Sequence, residues 1–255
     1  MLLTNKVAIV TGGDSGIGYA ICVALAQAGA TVTINYHRNQ AAAEITLKEI
    51  TEAGGKGQTV QGDVSSVADI QALVDATVGA YGRLDVMINN AGMETRTSLL
   101  ETSEQQFETV IGVDLKSAFF GTQIAARHMI QQGSGGHIIN ISSVHEDWPM
   151  PGNTAYCCAK GGMRMLTRTA AVELAAHGIL VVNVGPGAVD TPIDAATLAD
   201  PTQKARLDAA IPLGRVAQPT EIANLVVWLS SDQASYTTGV TYFIDGGIMQ
   251  GSVGL

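Results

Sequence analysis

The sequence predicts an α/β fold: a single doubly wound parallel sheet of about seven strands with helices on both faces. Three observations predict it. Strand-like and helix-like segments alternate from one end of the 255-residue chain to the other. The first strand-like segment runs through a glycine-rich turn straight into a helix. Hydrophobic residues make up 46% of the chain and charged residues only 15%, enough apolar material for a sizeable core. Such alternation calls for parallel strands joined by right-handed crossovers. No linker, internal repeat or like-charge block interrupts it, so residues 1–255 read as one domain.

The elements follow in order. Val7–Val10 is a short apolar strand, and the helix after the glycine turn spans Ile17–Ala28, stopped by Gly29. Thr31–Asn35 is β-branched and strand-like, and a helix from about Ala41 to Ala53 ends at Gly54-Gly55. Gln58–Gln61 is the third strand, Val67–Tyr81 the third helix and Leu84–Asn89 the fourth strand. Two separate helices, Ser103–Ile111 and Leu115–Gln132, are expected in the middle of the chain. Ile138–Ser142 is the fifth strand, followed by a helix that carries Tyr156 and runs to about His177. Leu180–Val184 is the sixth strand, then come a loop with Pro186 and Pro192, a helix from Thr220 to Ser230 and a last strand, Thr241–Ile244.

Composition excludes some functions. The formal net charge of −9 offers neither the basic footprint that nucleic acid requires nor a polybasic membrane contact. The three cysteines, Cys22, Cys157 and Cys158, form no spaced framework, which suits a reducing compartment. The start of the chain reads as strand rather than signal peptide, and no apolar run is long enough to span a bilayer. A cytoplasmic protein is expected.

The residues with the most chemistry are Ser143, Tyr156 and Lys160. Tyr156 and Lys160 are one helical turn apart and share a helix face. A free phenol has a pKa of about 10, and a neighbouring ammonium favours its ionised form, bringing proton transfer within reach of working pH. Ser143 belongs to the preceding strand, because Pro149, Pro151 and Gly152 separate it from the Tyr156 helix. Alternation along that strand turns only one of Ser142 and Ser143 toward Tyr156. Tyr-x-x-x-Lys alone also describes many solvated helix faces, so the trio needs a cofactor site beside it.

Thr11-Gly12-Gly13-Asp14-Ser15-Gly16-Ile17-Gly18 supplies one. Glycines between a strand and a helix let a pyrophosphate approach the backbone, and the helix N-terminus offers unpaired N–H groups. The spacing is Gly-x-x-x-Gly-x-Gly. Gly62-Asp63-Val64 and Asn89-Asn90-Ala91-Gly92 end the third and fourth strands, where open parallel sheets bind ligands. Asp63 is placed to accept from an adenine amino group or to cap the next helix, and the Asn-Asn-Ala-Gly turn also fits plain loop chemistry.

These residues resemble the short-chain dehydrogenase/reductase family over essentially the whole chain. The glycine loop (11–18), Asp63, Asn-Asn-Ala-Gly (89–92), Ser143/Tyr156/Lys160, Pro186-Gly187 and Thr191 stand in the family's order and spacing. Within that family the segments 85–94, 142–146, 185–193 and 234–239 are similar to bacterial glucose 1-dehydrogenases. The resemblance implies a Rossmann-like, NAD(P)-dependent oxidoreductase that interconverts an alcohol and a carbonyl by hydride transfer, on a sugar or polyol. A carbonyl or ketone reductase is the alternative, and a non-catalytic nucleotide-binding protein on the same fold a second one. It further implies that Tyr156 is the acid/base, that Lys160 lowers its pKa and holds the nicotinamide ribose, and that Ser143 orients the carbonyl. Gly12, Ser15, Gly16, Ile17, Gly18, Asp63, Val64, Asn90, Ala91, Gly92, Pro186, Gly187, Val189 and Thr191 are the implied cofactor contacts, with no metal. A homotetramer meeting through helices near 103–132 and the segment 215–255 is implied too.

Two further features carry expectations of their own. Asp114 stands where the family places an asparagine thought to anchor a proton-relay water, and is expected either to join that relay or to serve structure alone. The second strand ends in Asn35-Tyr36-His37-Arg38-Asn39, without the carboxylate that selects NAD. Arg38 there suits a 2′-phosphate, so NADP(H) preference or dual NAD(P)(H) use is expected. Glu94, His145 and Glu146 are the candidate substrate residues, and 194–212 is expected to form a lid.

Overall fold

The computed structural model describes residues 1–251. Seven strands, all parallel, form one sheet in the order β3-β2-β1-β4-β5-β6-β7. They are β1 (Val7–Val10), β2 (Thr31–Tyr36), β3 (Lys56–Gln61), β4 (Val86–Asn89), β5 (Gly136–Ile141), β6 (Ile179–Pro186) and β7 (Thr241–Ile244). The helices are α1 (Gly16–Gln27), α2 (Gln40–Glu52), α3 (Val67–Tyr81), α4 (Glu104–Val110), α5 (Ser117–Gln132), α6 (Thr154–Leu174), α7 (Ala195–Ala199), α8 (Pro201–Ala210) and α9 (Pro219–Leu229).

Every residue of the central strands β1 and β4 is buried, as expected of a parallel sheet covered on both faces. The edge strand β3, Lys-Gly-Gln-Thr-Val-Gln, is polar and partly exposed, which suits an edge. Helices α1, α2 and α9 cover one face through Ile21, Leu25, Ile50, Val226 and Leu229. Helices α3, α5 and α6 cover the other through Ile70, Leu73, Met129 and Ala170. Each such large apolar side chain contributes roughly 1.5–3 kcal/mol on burial, so the three layers are held mainly by these two apolar sheets of contact.

Strand order reverses at β1. The chain builds outward to β3, then crosses back to lay β4 on the other side of β1. The loops after β1 and β4 part at the strands' carboxyl ends and leave a crevice there.

One expected feature is corrected. The two middle helices are not separated: α4 passes through a π-helical turn, Ile111–Lys116, directly into α5. The wide turn absorbs an extra residue, which breaks the apolar periodicity in sequence without breaking the helix. It also carries Asp114 into the interior. The expected lid segment folds as α7 and α8, with Pro201 opening α8 and Asp200 capping it through the Thr202 and Gln203 N–H groups. Leu198, Leu207 and Ile211 of this segment rest on Val144, Val216 and Ile248. Among the described residues no helix is long and apolar enough to cross a membrane.

Candidate active site

A cleft of about 1700 Å³ runs along the carboxyl ends of the strands. At one end lies the glycine loop. Gly12 (φ +61°) and Gly16 (φ +52°) occupy left-handed backbone that side chains disfavour. A Cβ on Gly18 would lie 2.1 Å from the Gly12 carbonyl oxygen, so only glycine fits. Ser15 caps α1 without a side-chain hydrogen bond, leaving no side chain across the first-turn N–H groups of Gly16, Ile17 and Gly18. This cradle fits a pyrophosphate.

Other predicted residues hold the cradle in shape. Asn90 Nδ2 donates to the Thr11 and Gly12 carbonyls at 2.8 and 3.2 Å. The Asn90 and Ala91 N–H groups donate to Thr11 Oγ1 at 2.9 and 3.0 Å. Asn35 Oδ1 accepts from the Gly12 N–H at 3.4 Å, while its Nδ2 donates to Val60 and Gly62 carbonyls. Thr11 and Asn35 were not expected as site residues. Their signal is a polar side chain at the buried carboxyl end of a central strand.

Asp63 Oδ1 accepts from the Ser65 N–H and hydroxyl at 2.9 and 2.8 Å, and Oδ2 lies 3.7 Å from His37 Nε2. Burial would raise this carboxyl, but the Ser65 hydrogen bonds, with His37 and Arg38, bring it below its ordinary value. Asp63 and Val64 line the cleft, and Arg38 stands exposed at its rim. Pro186, Gly187, Val189 and Thr191 line the opposite wall. A Cβ on Gly187 would lie 2.8 Å from Asp245 Cα, and Thr191 packs against Gly16.

The inner end of the cleft holds the trio. Ser143 follows β5, and Tyr156 and Lys160 lie one turn apart on α6. Lys160 Nζ sits 5.3 Å from the Tyr156 ring centre and donates to the Ile141 carbonyl at 3.1 Å. It also lies 3.4 Å from Asp114 Oδ2, within ion-pair range but too long for a good hydrogen bond, so that oxygen has no hydrogen-bond partner. Asp114 Oδ1 accepts from the Met93 N–H at 2.8 Å. Ser143 Oγ accepts from the His145 N–H at 3.1 Å, which leaves its O–H to donate elsewhere. Both adjacent serines line the cleft, and Ser143 is the one that lowers the Tyr156 phenol. The Ser142 hydroxyl is buried without a partner.

The electrostatics are those of a coupled cluster. Burial pushes Tyr156 above its ordinary value, Lys160 and Ser143 pull it down, and Asp114 adds to the rise. Burial likewise raises Asp114, against the pull of Lys160 and the Met93 N–H. Burial would lower Lys160, but Asp114 and Tyr156 hold it above its ordinary value.

Glu94 and His145 line the cleft; Glu146 does not. Its carboxylate is buried and accepts from Asn183 Nδ2 at 2.9 Å and from the Thr241 hydroxyl at 2.5 Å. The short 3₁₀ turn Val144–Glu146 points successive side chains in different directions, so His145 reaches the cleft while Glu146 is turned into the sheet. Sequence spacing missed Asn153, Arg96 and Asp194, which also line this end.

A phosphate cradle facing a tyrosine–lysine pair defines an oxidoreductase site for a nicotinamide dinucleotide. Known proteins agree. The family model described as enoyl-(acyl carrier protein) reductase matches residues 12–249. The chain is 41% identical to 3beta-hydroxysteroid dehydrogenase 1 of Eggerthella lenta, over 96% of this chain and 94% of that protein. It is 39% identical to glucose 1-dehydrogenase 2 of Bacillus subtilis, over 96% of this chain and 95% of that protein. The crystal structure of acetoin dehydrogenase from Salmonella typhimurium superposes with a TM-score of 0.87 at 42% identity, covering 96% of this chain and 97% of that one. The chain belongs to the short-chain dehydrogenase/reductase family, whose members are oxidoreductases acting on CH–OH groups with a nicotinamide cofactor.

Proposed function

We propose that the protein is an NAD(P)-dependent dehydrogenase that interconverts an alcohol and a carbonyl on a sugar or polyol. The observation that carries the reading is Tyr156, beside Lys160 and Ser143, at the inner end of a cleft whose other end is a phosphate cradle. The cofactor, when bound, supplies or accepts the hydride. The chain does the rest. Ser143 donates its free O–H to the substrate oxygen and fixes its position. Tyr156 takes the hydroxyl proton in oxidation and returns it in reduction. Lys160, held by the Ile141 carbonyl and Asp114, stabilises the phenolate and reaches the ribose. The cleft walls formed by 186–191 and the lid exclude water.

NADP(H) is the preferred cofactor in this reading, or both forms are used. Arg38 supports it, being exposed at the rim and in no ion pair among the described residues. Arg38→Ala is expected to raise the KM for NADP about tenfold or more and the KM for NAD little, as fits loss of one charge-assisted phosphate contact. Equal effects on both would remove Arg38 from cofactor recognition.

A homotetramer is part of the proposal. Phe107, Phe119, Met165 and Val172 on α4–α6, Tyr236 and Val240 before β7, and Phe243 on it are large apolar side chains left exposed.

The test of the activity is a panel. Purified protein is offered NAD, NADP and their reduced forms with aldoses, polyols and ketones, and nicotinamide absorbance is followed. Turnover of aldoses or polyols supports the proposal; turnover confined to ketones points to a reductase; no turnover with any overturns it.

A further inference from the structure

The substrate end of the cleft, beyond Tyr156 and His145, is a wall of hydrogen-bond acceptors. Glu94 is nearly buried and its carboxylate accepts from Asn153 and Arg96. Asp194 lies at the start of the lid, and Arg96 joins the two. Its guanidinium donates to Glu94 Oε1 at 3.3 Å, the Ile193 carbonyl at 3.3 Å, Thr197 Oγ1 at 3.4 Å and Asp194 Oδ1 at 3.5 Å. One guanidinium, its contacts made by the two terminal nitrogens alone, thus faces two carboxylates. Burial and Glu94 push the Asp194 carboxyl upward, as expected when a second like charge is only half compensated.

Two neutral side chains extend the pattern. Asn153 is 1% exposed and lines the cleft; its Nδ2 is used by Glu94 and its Oδ1 has no partner. His145 Nδ1 lies 3.0 Å from the Trp148 carbonyl, which can only accept. Nδ1 therefore carries the proton, and Nε2 of the neutral ring is an acceptor. Among the described residues no cation other than Arg96 lies within this wall. Of the other basic residues lining the cleft, Lys160 is paired with Asp114, Lys116 donates to the Ser65 carbonyl, and Arg38 and His37 stand at the far rim.

We propose that Glu94, Asp194, Arg96 and Asn153 set the charge selectivity of the site: it takes uncharged substrates rich in hydroxyls and rejects carboxylates of the same size. The inference rests on reading the cleft as a hydride-transfer site. A polyol brings an O–H for acceptors of the residues that line the cleft, the Glu94 and Asp194 carboxylates and His145 Nε2. A carboxylate brings no donor and adds a third negative charge beside Glu94 and Asp194. Arg96 also ties the loop after β4 to the lid, so the wall is assembled when the lid is down.

Matched pairs test this: glucitol against gluconate, and butane-2,3-diol against lactate, with kcat/KM from nicotinamide absorbance and affinity by calorimetry. The neutral partner of each pair is expected to lead by at least about tenfold, the order of one uncompensated like charge at short range. Asp194→Asn is expected to narrow the ratio, chiefly by lowering the carboxylate's KM, and Arg96→Gln to widen it. Circular dichroism confirms that both variants fold, and the wild-type ratio stands without them. Comparable kcat/KM for neutral and anionic partners overturns the inference, as does a ratio that neither substitution moves. Where no member of either pair is turned over, calorimetry decides: equal affinities overturn the selectivity and tighter binding of the neutral partner supports it, while the hydride-transfer reading falls only if the full panel of aldoses, polyols and ketones fails too.

Discussion

Tyr156→Phe is expected to lower turnover in both directions by roughly 10²–10⁴-fold, the range for loss of a positioned acid/base. The change removes one hydroxyl and keeps the ring against His145 and beneath Lys160. Lys160 keeps the Ile141 carbonyl and Asp114, so folding and cofactor affinity should hold. Asp114 cannot replace the phenol, being fully buried behind Lys160. The pH dependence carries a sign. Oxidation needs the phenolate and reduction needs the phenol. Because burial raises Tyr156, oxidation should gain rate into the alkaline range, while reduction should decline only there. In Tyr156→Phe both limbs should vanish together. Steady-state turnover, fluorescence titration of the reduced cofactor and circular dichroism are the measurements. Normal turnover in the variant would reject the mechanism.

The sheet was legible because its signals are local. Val7–Val10, the glycine turn and the β-branched run at 31–35 announce strand, turn and strand without reference to the rest of the chain. The Tyr156–Lys160 pair was legible for the same reason, since helical spacing alone puts both on one face. What sequence could not supply was the direction of a side chain set by an irregular turn. Glu146 is one residue from His145, yet the 3₁₀ turn sends it to Asn183 and Thr241. Residues 112–114 looked like a gap between helices, because a π turn shifts the apolar period without ending the helix. Arg96, Asn153 and Asp194 lie on three segments far apart in the chain. Their meeting follows from strand order, which no local pattern encodes.

Asp114 gives the second large effect, and two substitutions separate its charge from its shape. Asp114→Ala removes the one carboxylate that, among the described residues, pairs with the buried Lys160, and leaves the Met93 N–H without its acceptor. Stranding one member of a buried ion pair costs about 3–5 kcal/mol. A clear fall in Tm is expected, with turnover down by about 10²-fold or more as Lys160 loses its hold. Asp114→Asn keeps an acceptor for Met93 and a polar atom near Lys160 but deletes the negative charge. In the wild type that charge raises both Tyr156 and Lys160. Deleting it lowers both, so the phenolate forms at lower pH and the acid limb of the oxidation profile moves toward acid. Lys160 also becomes easier to neutralise, which brings a decline at high pH closer. The oxidation profile of Asp114→Asn should thus be displaced to lower pH as a whole, while Tm falls less than in Asp114→Ala. A residue that only fills space would lower Tm in both variants and leave the profile where it was. That outcome would take the Asp114 charge out of the proton-transfer step.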